Sequence, residues 1–437
     1  MTSATRNFVA EPGGQVAGEL RVPGDKSMSH RAAMLGAIAQ GATEIHGFLE
    51  GDDCASTLAA LTAMGARHEK LGPGHLVMHG VGPRGLTAPG RPLDLGNSGT
   101  SMRLLAGILA GQAFDATLVG DKSLMRRPME RIAEPLRRMG ADVRTRDGQP
   151  PVTVSGPRPL AGCDHRLDLP SAQVKSALLL AGLYARGRTR VEEPGISRDH
   201  TERMLESFGV PVVREYHAVS INGPATLRAT GVRIPGDFSS AAYFMAAGVI
   251  AGSDGLVIRD VGVNPTRSAL LEILRLMGAD IRVHAAGGLD AEPRADLEIH
   301  PGRLHGIEVP QALVPVAMDE LPLLIAMAAL ADGETVVTGA SELRVKESDR
   351  LAAMTTGLTA LGIAVDSFPD GMRIRGGPVR GGVVDSEGDH RVAMAFAVLG
   401  ARADSAITIR GVQNVATSFP GFARTARAAG LRLAEQA

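Results

Sequence analysis

The sequence predicts an α/β protein built from six like units of about 70 residues. Two periodic signals carry that prediction. The first is a polar-headed segment with an Ala/Leu/Met-rich tail. It occurs as KSMSHRAAMLGAIA from Lys26, LGNSGTSMRLLAG from Leu95, SAQVKSALLLAGLYA from Ser171, FSSAAYFMAAGVIAG from Phe238, DELPLLIAMAALA from Asp319 and DHRVAMAFAVLGA from Asp389. Tails that are apolar nearly all round mark helices buried on every side. The second is an amphipathic segment that follows each of these and ends near a glycine: Gly65, Gly140, Gly209, Gly278, Gly362 and Gly430. A glycine there fits the left-handed residue just past a helix C-terminus. Successive glycines are 75, 69, 69, 84 and 68 positions apart. Units of this length predict packed domains rather than an open solenoid.

Length sets the grouping. A chain of 437 residues is too long for one ordinary core, so six units divide as three and three. The Gly/Pro breaks at Val22–Gly24 and Ile234–Gly236 are the natural linkers. Between the helices lie short alternating runs bounded by turn residues, such as TEIHGF from Thr43, HLVMHG from His75, DATLVG from Asp115, PVTVSG from Pro151 and AITIRG from Ala406. Their pattern is that of strands.

Composition narrows the function. Hydrophobic content of 44%, charged content of 21% and a net charge of −1 describe an ordinary globular chain. No basic excess points to nucleic acid, and the absence of Trp with only three Tyr removes base-stacking platforms. Cys54 and Cys163 have neither metal spacing nor the numbers of a disulfide framework, so a reduced, cytoplasmic setting is expected. The first residues lack a signal-peptide core, and the longest apolar run, Phe238–Ser253, is too short for a membrane span.

The chemistry gathers at the helix starts. PGDKSMSHR crowds Lys26, Ser27 and Arg31 there without the glycine spacing of a P-loop. A helix N-terminus carries unpaired N–H groups and partial positive charge, so it suits an anion. The same grammar puts Asn97 and Gly99 at another start, Ser171 and Gln173 at a third, and Arg127 just before an amphipathic helix. Each has a plain alternative as a cap or a solvated side chain. Asp199, His200 and Glu202 read as a solvated, acidic first turn rather than a metal site. In RVKESDRL, Lys346, Glu347 and Arg350 form either a surface ion-pair cluster, capped by Ser348 or Asp349, or part of a site. Asp319 and Arg391 head the fifth and sixth buried helices. Were these starts to converge, they would build a cationic pocket holding Asp319 and Glu347, suited to doubly anionic guests and to proton transfer.

The motifs PGDKSMSHR, LGNSGTSMR, RRP, SAQVKSALLLAGL, MDELP, VKESDR and GDHRVAMA, in this order, resemble the 5-enolpyruvylshikimate-3-phosphate synthase family over nearly the whole chain. The resemblance implies two similar domains, each of three βαβαββ-type repeats with buried helices and outer sheets, an inside-out α/β barrel with a hinged cleft. It places residues 1–22 plus 236–437 in one domain and 23–235 in the other. It implies transfer of the enolpyruvyl group of phosphoenolpyruvate to the 5-hydroxyl of shikimate 3-phosphate, on the route to chorismate and aromatic amino acids, without metal or organic cofactor, by a monomer.

Carried over by motif, Lys26 would bridge both ligands. Ser27, Arg31, Ser171, Gln173, Arg198, Asp319 and Lys346 would hold shikimate 3-phosphate. Asn97, Gly99, Arg127, Gln173, Arg350 and Arg391 would surround phosphoenolpyruvate, and Asp319 and Glu347 would move protons. Three positions depart from the common pattern: Ala172 for a second serine, Arg198 after Ser197, and Thr417 for a lysine. Gly99 implies sensitivity to glyphosate, whereas Ala172 and Thr417 imply the opposite. The rival transferase acting on UDP-N-acetylglucosamine carries a cysteine where GDKSLMRRP has none. A non-catalytic phosphoanion-binding protein is the rival from another class.

Overall fold

A computed structural model describes residues 6–285 and 292–436. The described helices run α1 (Lys26–Ile38), α2 (Asp52–Ala63), α3 (Gly99–Leu109), α4 (Glu130–Arg138), α5 (Ala172–Gly182), α6 (His200–Ser207), α7 (Phe238–Ala251), α8 (Ala269–Leu276), α9 (Leu321–Ala328), α10 (Arg350–Ala360), α11 (His390–Leu399) and α12 (Phe422–Ala428). Odd-numbered helices are the Ala/Leu/Met-rich ones, and nearly all their residues are buried. Even-numbered helices are amphipathic, and the six glycines that follow them all have φ between +85° and +102°. That conformation costs a residue with a Cβ more than it costs glycine.

Small residues let the buried helices approach closely. A Cβ on Gly107 of α3 would lie 2.2 Å from the carbonyl oxygen of Ala177 on α5. Five of the six buried helices are capped by a side chain from Asp or Ser: Asp25, Ser98, Ser171, Asp237 and Asp389. Each cap satisfies a backbone N–H that the helix leaves open.

The chain forms two compact units. The contiguous unit is Gly24–Ile234 with Glu292; the split unit takes the described residues of Met1–Pro23, Pro235–Leu289 and Pro293–Ala437. Each has its own apolar core. Each also carries three sheets of one plan. Leu93–Asp94, before α3, lies parallel to Ala116–Val119 after it, and the hairpin Asp142–Arg146/Gln149–Ser155 completes the sheet antiparallel. Strand, buried helix, strand, amphipathic helix and hairpin make a βαβαββ repeat, and residues 164–223 repeat it. The six sheets formed by the described residues are open rather than closed into barrels, with three or four strands each.

The strands that precede α1 and α7 in sequence each pair in the sheet of the other helix's repeat, an exchange in sequence order that keeps each strand in its own unit. Val16–Arg21 precedes α1 in sequence yet pairs with Gly252–Gly262 of the split unit. Val232–Arg233 precedes α7 yet pairs with Gln40–His46 of the contiguous unit. Asn7–Gly14 lies between Ile407–Arg410 and Leu431–Gln436 and completes the last sheet of the split unit. No described helix is long and apolar enough to cross a membrane.

Candidate active site

In the contiguous unit, the starts of α1, α3 and α5 carry the predicted residues. Lys26 is the first residue of α1, where its charge opposes the helix dipole. Asp53 of α2 answers it, with Oδ2 3.0 Å from Lys26 Nζ. One turn on, Arg31 is buried; its Nη1 donates to the Ser27 carbonyl at 2.9 Å, Nε to Thr201 Oγ1 at 2.6 Å and Nη2 to Ser176 Oγ at 2.8 Å. All three acceptors are neutral. Burial pushes the Arg31 guanidinium down to about 10; Glu202 and Asp25 oppose that shift, and the neighbouring charge of Arg198 adds to it.

Around the first turn of α3, Asn97 Nδ2 donates to Asp121 at 2.7 Å, while Asn97 Oδ1 accepts from Arg127 Nη2 at 2.6 Å. Gly99 is the first residue of α3 rather than part of a preceding loop, and Ser98 is the cap. A Cβ on Gly99 would lie 2.9 Å from Arg127 Nη1 and 3.4 Å from Arg103 Nη1. Arg103 donates to Gln173 Oε1, and Gln173 Nε2 donates to Thr100 Oγ1 at 2.8 Å. Arg103 is absent from the residues predicted by sequence. Its signal was the spacing: Arg103 follows Gly99 by four, as Arg31 follows Ser27. Ser171 caps α5 through its Oγ, Ala172 is the first residue of that helix, and Arg198 lies in the loop before α6.

One expectation is corrected here. Asp199, His200 and Glu202 are not a solvated helix start: His200 and Glu202 are buried, and Lys175 of α5 lies 2.9 Å from Glu202 Oε1. An ammonium group from a buried helix lets the acidic first turn leave water.

In the split unit, the starts of α9, α10 and α11 bring their residues together around two guanidinium groups. Arg350 is fully buried. Its Nε donates to Asp389 Oδ2 at 2.7 Å, its Nη2 to Glu347 Oε2 at 2.5 Å, and its Nη1 lies 3.8 Å from Asp319 Oδ1. Arg391 Nη2 lies 3.3 Å from Asp319 Oδ2, and its Nη1 donates to the Asp319 carbonyl at 3.0 Å and to Ser239 Oγ at 2.8 Å. Burial works against both charges. The field of Asp389 and Glu347 on Arg350, and of Asp319 and Glu320 on Arg391, outweighs it and raises both above the ordinary arginine value.

Lys346 is only half-buried by area but closely crowded; burial lowers its ammonium against the pull of Asp319 and Glu342. Asp349, not Ser348, caps α10, and RVKESDRL is not a surface ion-pair cluster, since Arg350 is withdrawn from solvent. Sequence reasoning missed the support behind these groups: Arg267 Nη1 bonds both oxygens of Glu320 at 2.8 Å, and Ser239 Oγ donates to Glu320 at 2.5 Å. Asp389 caps α11 and also holds Arg350. Thr417 Oγ1 is tied to its own backbone, donating to the Asn414 carbonyl at 2.7 Å.

With this geometry the chain was compared with known proteins. The family model described as EPSP synthase (3-phosphoshikimate 1-carboxyvinyltransferase) matches residues 10–425. A curated relative named 3-phosphoshikimate 1-carboxyvinyltransferase from Methylococcus capsulatus is 55% identical over 425 residues, 97% of each chain. One of the same name from Xanthomonas campestris pv. campestris is 52% identical over 437 residues, 99% of each. A solved EPSP synthase from Acinetobacter baumannii matches with a TM-score of 0.89 at 47% identity, covering 99% of this chain and all of that one. The enolpyruvyl transferase NikO from Streptomyces tendae, 19% identical, shares the fold at a TM-score of 0.79 with 99% of each chain covered. The chain belongs to the EPSP synthase (3-phosphoshikimate 1-carboxyvinyltransferase) family.

Proposed function

We propose that the chain transfers the enolpyruvyl group of phosphoenolpyruvate to the 5-hydroxyl of shikimate 3-phosphate, releasing phosphate. The supporting observation is the group Asp319–Arg350–Glu347, two carboxylates carried by one buried guanidinium. The reaction needs a base for the hydroxyl proton and an acid for the methylene carbon. The 5-oxygen bonds to C2 of phosphoenolpyruvate while C3 gains a proton, giving a tetrahedral intermediate. Loss of a proton from the new methyl group then expels phosphate and restores the double bond. Asp319 and Glu347 are the proton-transfer groups.

Lys26 bridges the two ligands in this reading. Ser27, Arg31, Ser171, Gln173, Arg198 and Lys346 hold shikimate 3-phosphate; Asn97, Arg127, Arg350 and Arg391, with the bare backbone of Gly99, hold phosphoenolpyruvate. Fixed cations around the departing phosphate supply the electrostatic part of the rate. No step calls for a metal or organic cofactor, and the working form is a cytoplasmic monomer.

Release of phosphate from phosphoenolpyruvate plus shikimate 3-phosphate tests the reading. Turnover is expected with that acceptor and not with UDP-N-acetylglucosamine; ligand binding without turnover would mark an anion-binding protein instead. Asp319→Asn should lower turnover by at least ~10²-fold while weakening ligand binding less. Near-normal turnover in that variant removes Asp319 from the mechanism.

A further inference from the structure

A buried charge network lies behind the proposed phosphate end of the acceptor. Glu193 follows the strand Gly187–Glu192 and is 6% exposed. Its Oε1 accepts the backbone N–H of Ser171 at 2.7 Å, and its Oε2 accepts Ser197 Oγ at 2.7 Å. Lys175 Nζ lies 2.9 Å from Glu193 Oε2 and 2.9 Å from Glu202 Oε1. One carboxylate therefore ties the cap of α5 to the loop that carries Arg198.

Two further bonds reach that loop: Lys175 Nζ donates to the Ser197 carbonyl at 3.5 Å, and Asp199 Oδ2 accepts from Arg203 Nε at 2.8 Å. Residues 194–199 have no helix or strand, and Ile196 is 62% exposed. A cavity of about 140 Å³ borders the loop, with Lys175, Glu193 and Glu202 in its wall. Of these bonds, only those to Glu193 join the Ser171 backbone and the Ser197 hydroxyl through a single group. Lys175 is what keeps this carboxylate compatible with burial. Burial works against the ammonium, but Glu202 and Glu193 outweigh it and raise Lys175 above the ordinary lysine value. Glu202 is followed back along α6 by Thr201, which accepts from Arg31, so the same lysine steadies a third predicted contact.

We propose that Glu193 is a positioning residue for the acceptor's phosphate, holding the Ser171 cap and the Ser197–Arg198 loop at the spacing that lets both reach one phosphate group. The inference rests on the acceptor assignment above. Residues held by a supporting shell keep their geometry when the ligand arrives.

Steady-state kinetics with two acceptors test it, using shikimate 3-phosphate and unphosphorylated shikimate. Glu193→Gln should raise KM for shikimate 3-phosphate roughly tenfold, as for a lost bond to a charged group. KM for phosphoenolpyruvate and kcat/KM for shikimate should change less than about twofold, because neither reports on the phosphate contacts. Glu193→Asp keeps the charge beside Lys175 and shortens the reach to Ser171. It should fold and show the same split at smaller size, which keeps the test open should Glu193→Gln fail to fold. Equal rises in both KM values, or no rise in either, would overturn the positioning role. Absence of wild-type turnover with shikimate 3-phosphate would instead strike the functional reading beneath it.

Discussion

Arg31 and Arg350 are both buried guanidinium groups at helix starts, one in each unit, and their surroundings are opposite. Arg31 meets two hydroxyls and a carbonyl. Arg350 meets Asp389, Glu347 and, at longer range, Asp319. Burial lowers the first guanidinium and carboxylates raise the second. A buried cation faced by neutral oxygens still lacks a counter-charge in contact, so an arriving phosphate can supply it. A buried cation already matched by carboxylates has its charge answered within the protein. Its work is to hold those carboxylates in place as much as to meet a ligand. One unit thus holds a buried guanidinium faced by neutral oxygens and the other a buried guanidinium already matched by carboxylates.

Removing each cation should break the comparison most visibly. Arg350→Leu strands Asp389 and Glu347 and should cost about 3–5 kcal/mol in the split unit. Arg31→Leu leaves Thr201 and Ser176 bonded to each other at 2.7 Å, so its cost should stay near 1 kcal/mol while affinity for shikimate 3-phosphate falls. Hydrogen exchange resolved to α10–α11 and to α1–α6 reads the two costs separately. Similar losses in both units would end the distinction.

Gly99→Ala probes the contiguous unit, at the start of α3. The new methyl meets the tip of Arg127, a flexible group that must shift. The resemblance makes glyphosate a ligand of the phosphoenolpyruvate site, and it is the longer of the two molecules. Its inhibition constant should rise roughly tenfold against about twofold for KM of phosphoenolpyruvate. Equal shifts in competition kinetics would show that the start of α3 does not set inhibitor fit.

The smallest effect concerns protons. His30 is buried against Thr57, with Nδ1 2.7 Å from Thr57 Oγ1, and burial, then Lys26 and Arg31, holds it well below the ordinary histidine value. The unfolded chain takes up this proton below about pH 6.5 and the folded one does not, so folding stability falls as the pH drops through that value. His30→Gln should flatten the decline by up to about 1.4 kcal/mol per pH unit. Denaturant unfolding at pH 7, 6 and 5 measures the difference between the two slopes. An unchanged slope would mean that His30 takes up its proton in the fold.

The repeats were legible because their signals are local. A helix with Ala, Leu and Met on all faces has nowhere to go but inside, and a glycine after an amphipathic run marks a left-handed residue wherever the helix packs. The predicted site residues were legible at the helix starts for the same reason. What escaped was decided at a distance. Val232–Arg233 is too short to show a strand period, and only its pairing with Gln40–His46 reveals the exchange. The acidic start of α6 looks solvated until Lys175, more than twenty residues earlier, is placed beside it. Arg267 has no sequence mark at all; Glu320 gives it its place.

The pairing of Asn7–Gly14 sets a timetable for the newly made chain. Nearly all of the contiguous unit emerges as one stretch and can fold once Ile234 is made. Phe8, which pairs with Ile409, must wait for a partner about four hundred positions later. At ribosomal speeds of 5–20 residues per second, the strand Asn7–Gly14 stays unpaired for roughly 10–40 s after the contiguous unit is complete. Through that interval its edge groups are open to any other chain. The arrangement that ties Asn7–Gly14 into the last sheet thus makes a strand synthesised before the contiguous unit among the last to be protected.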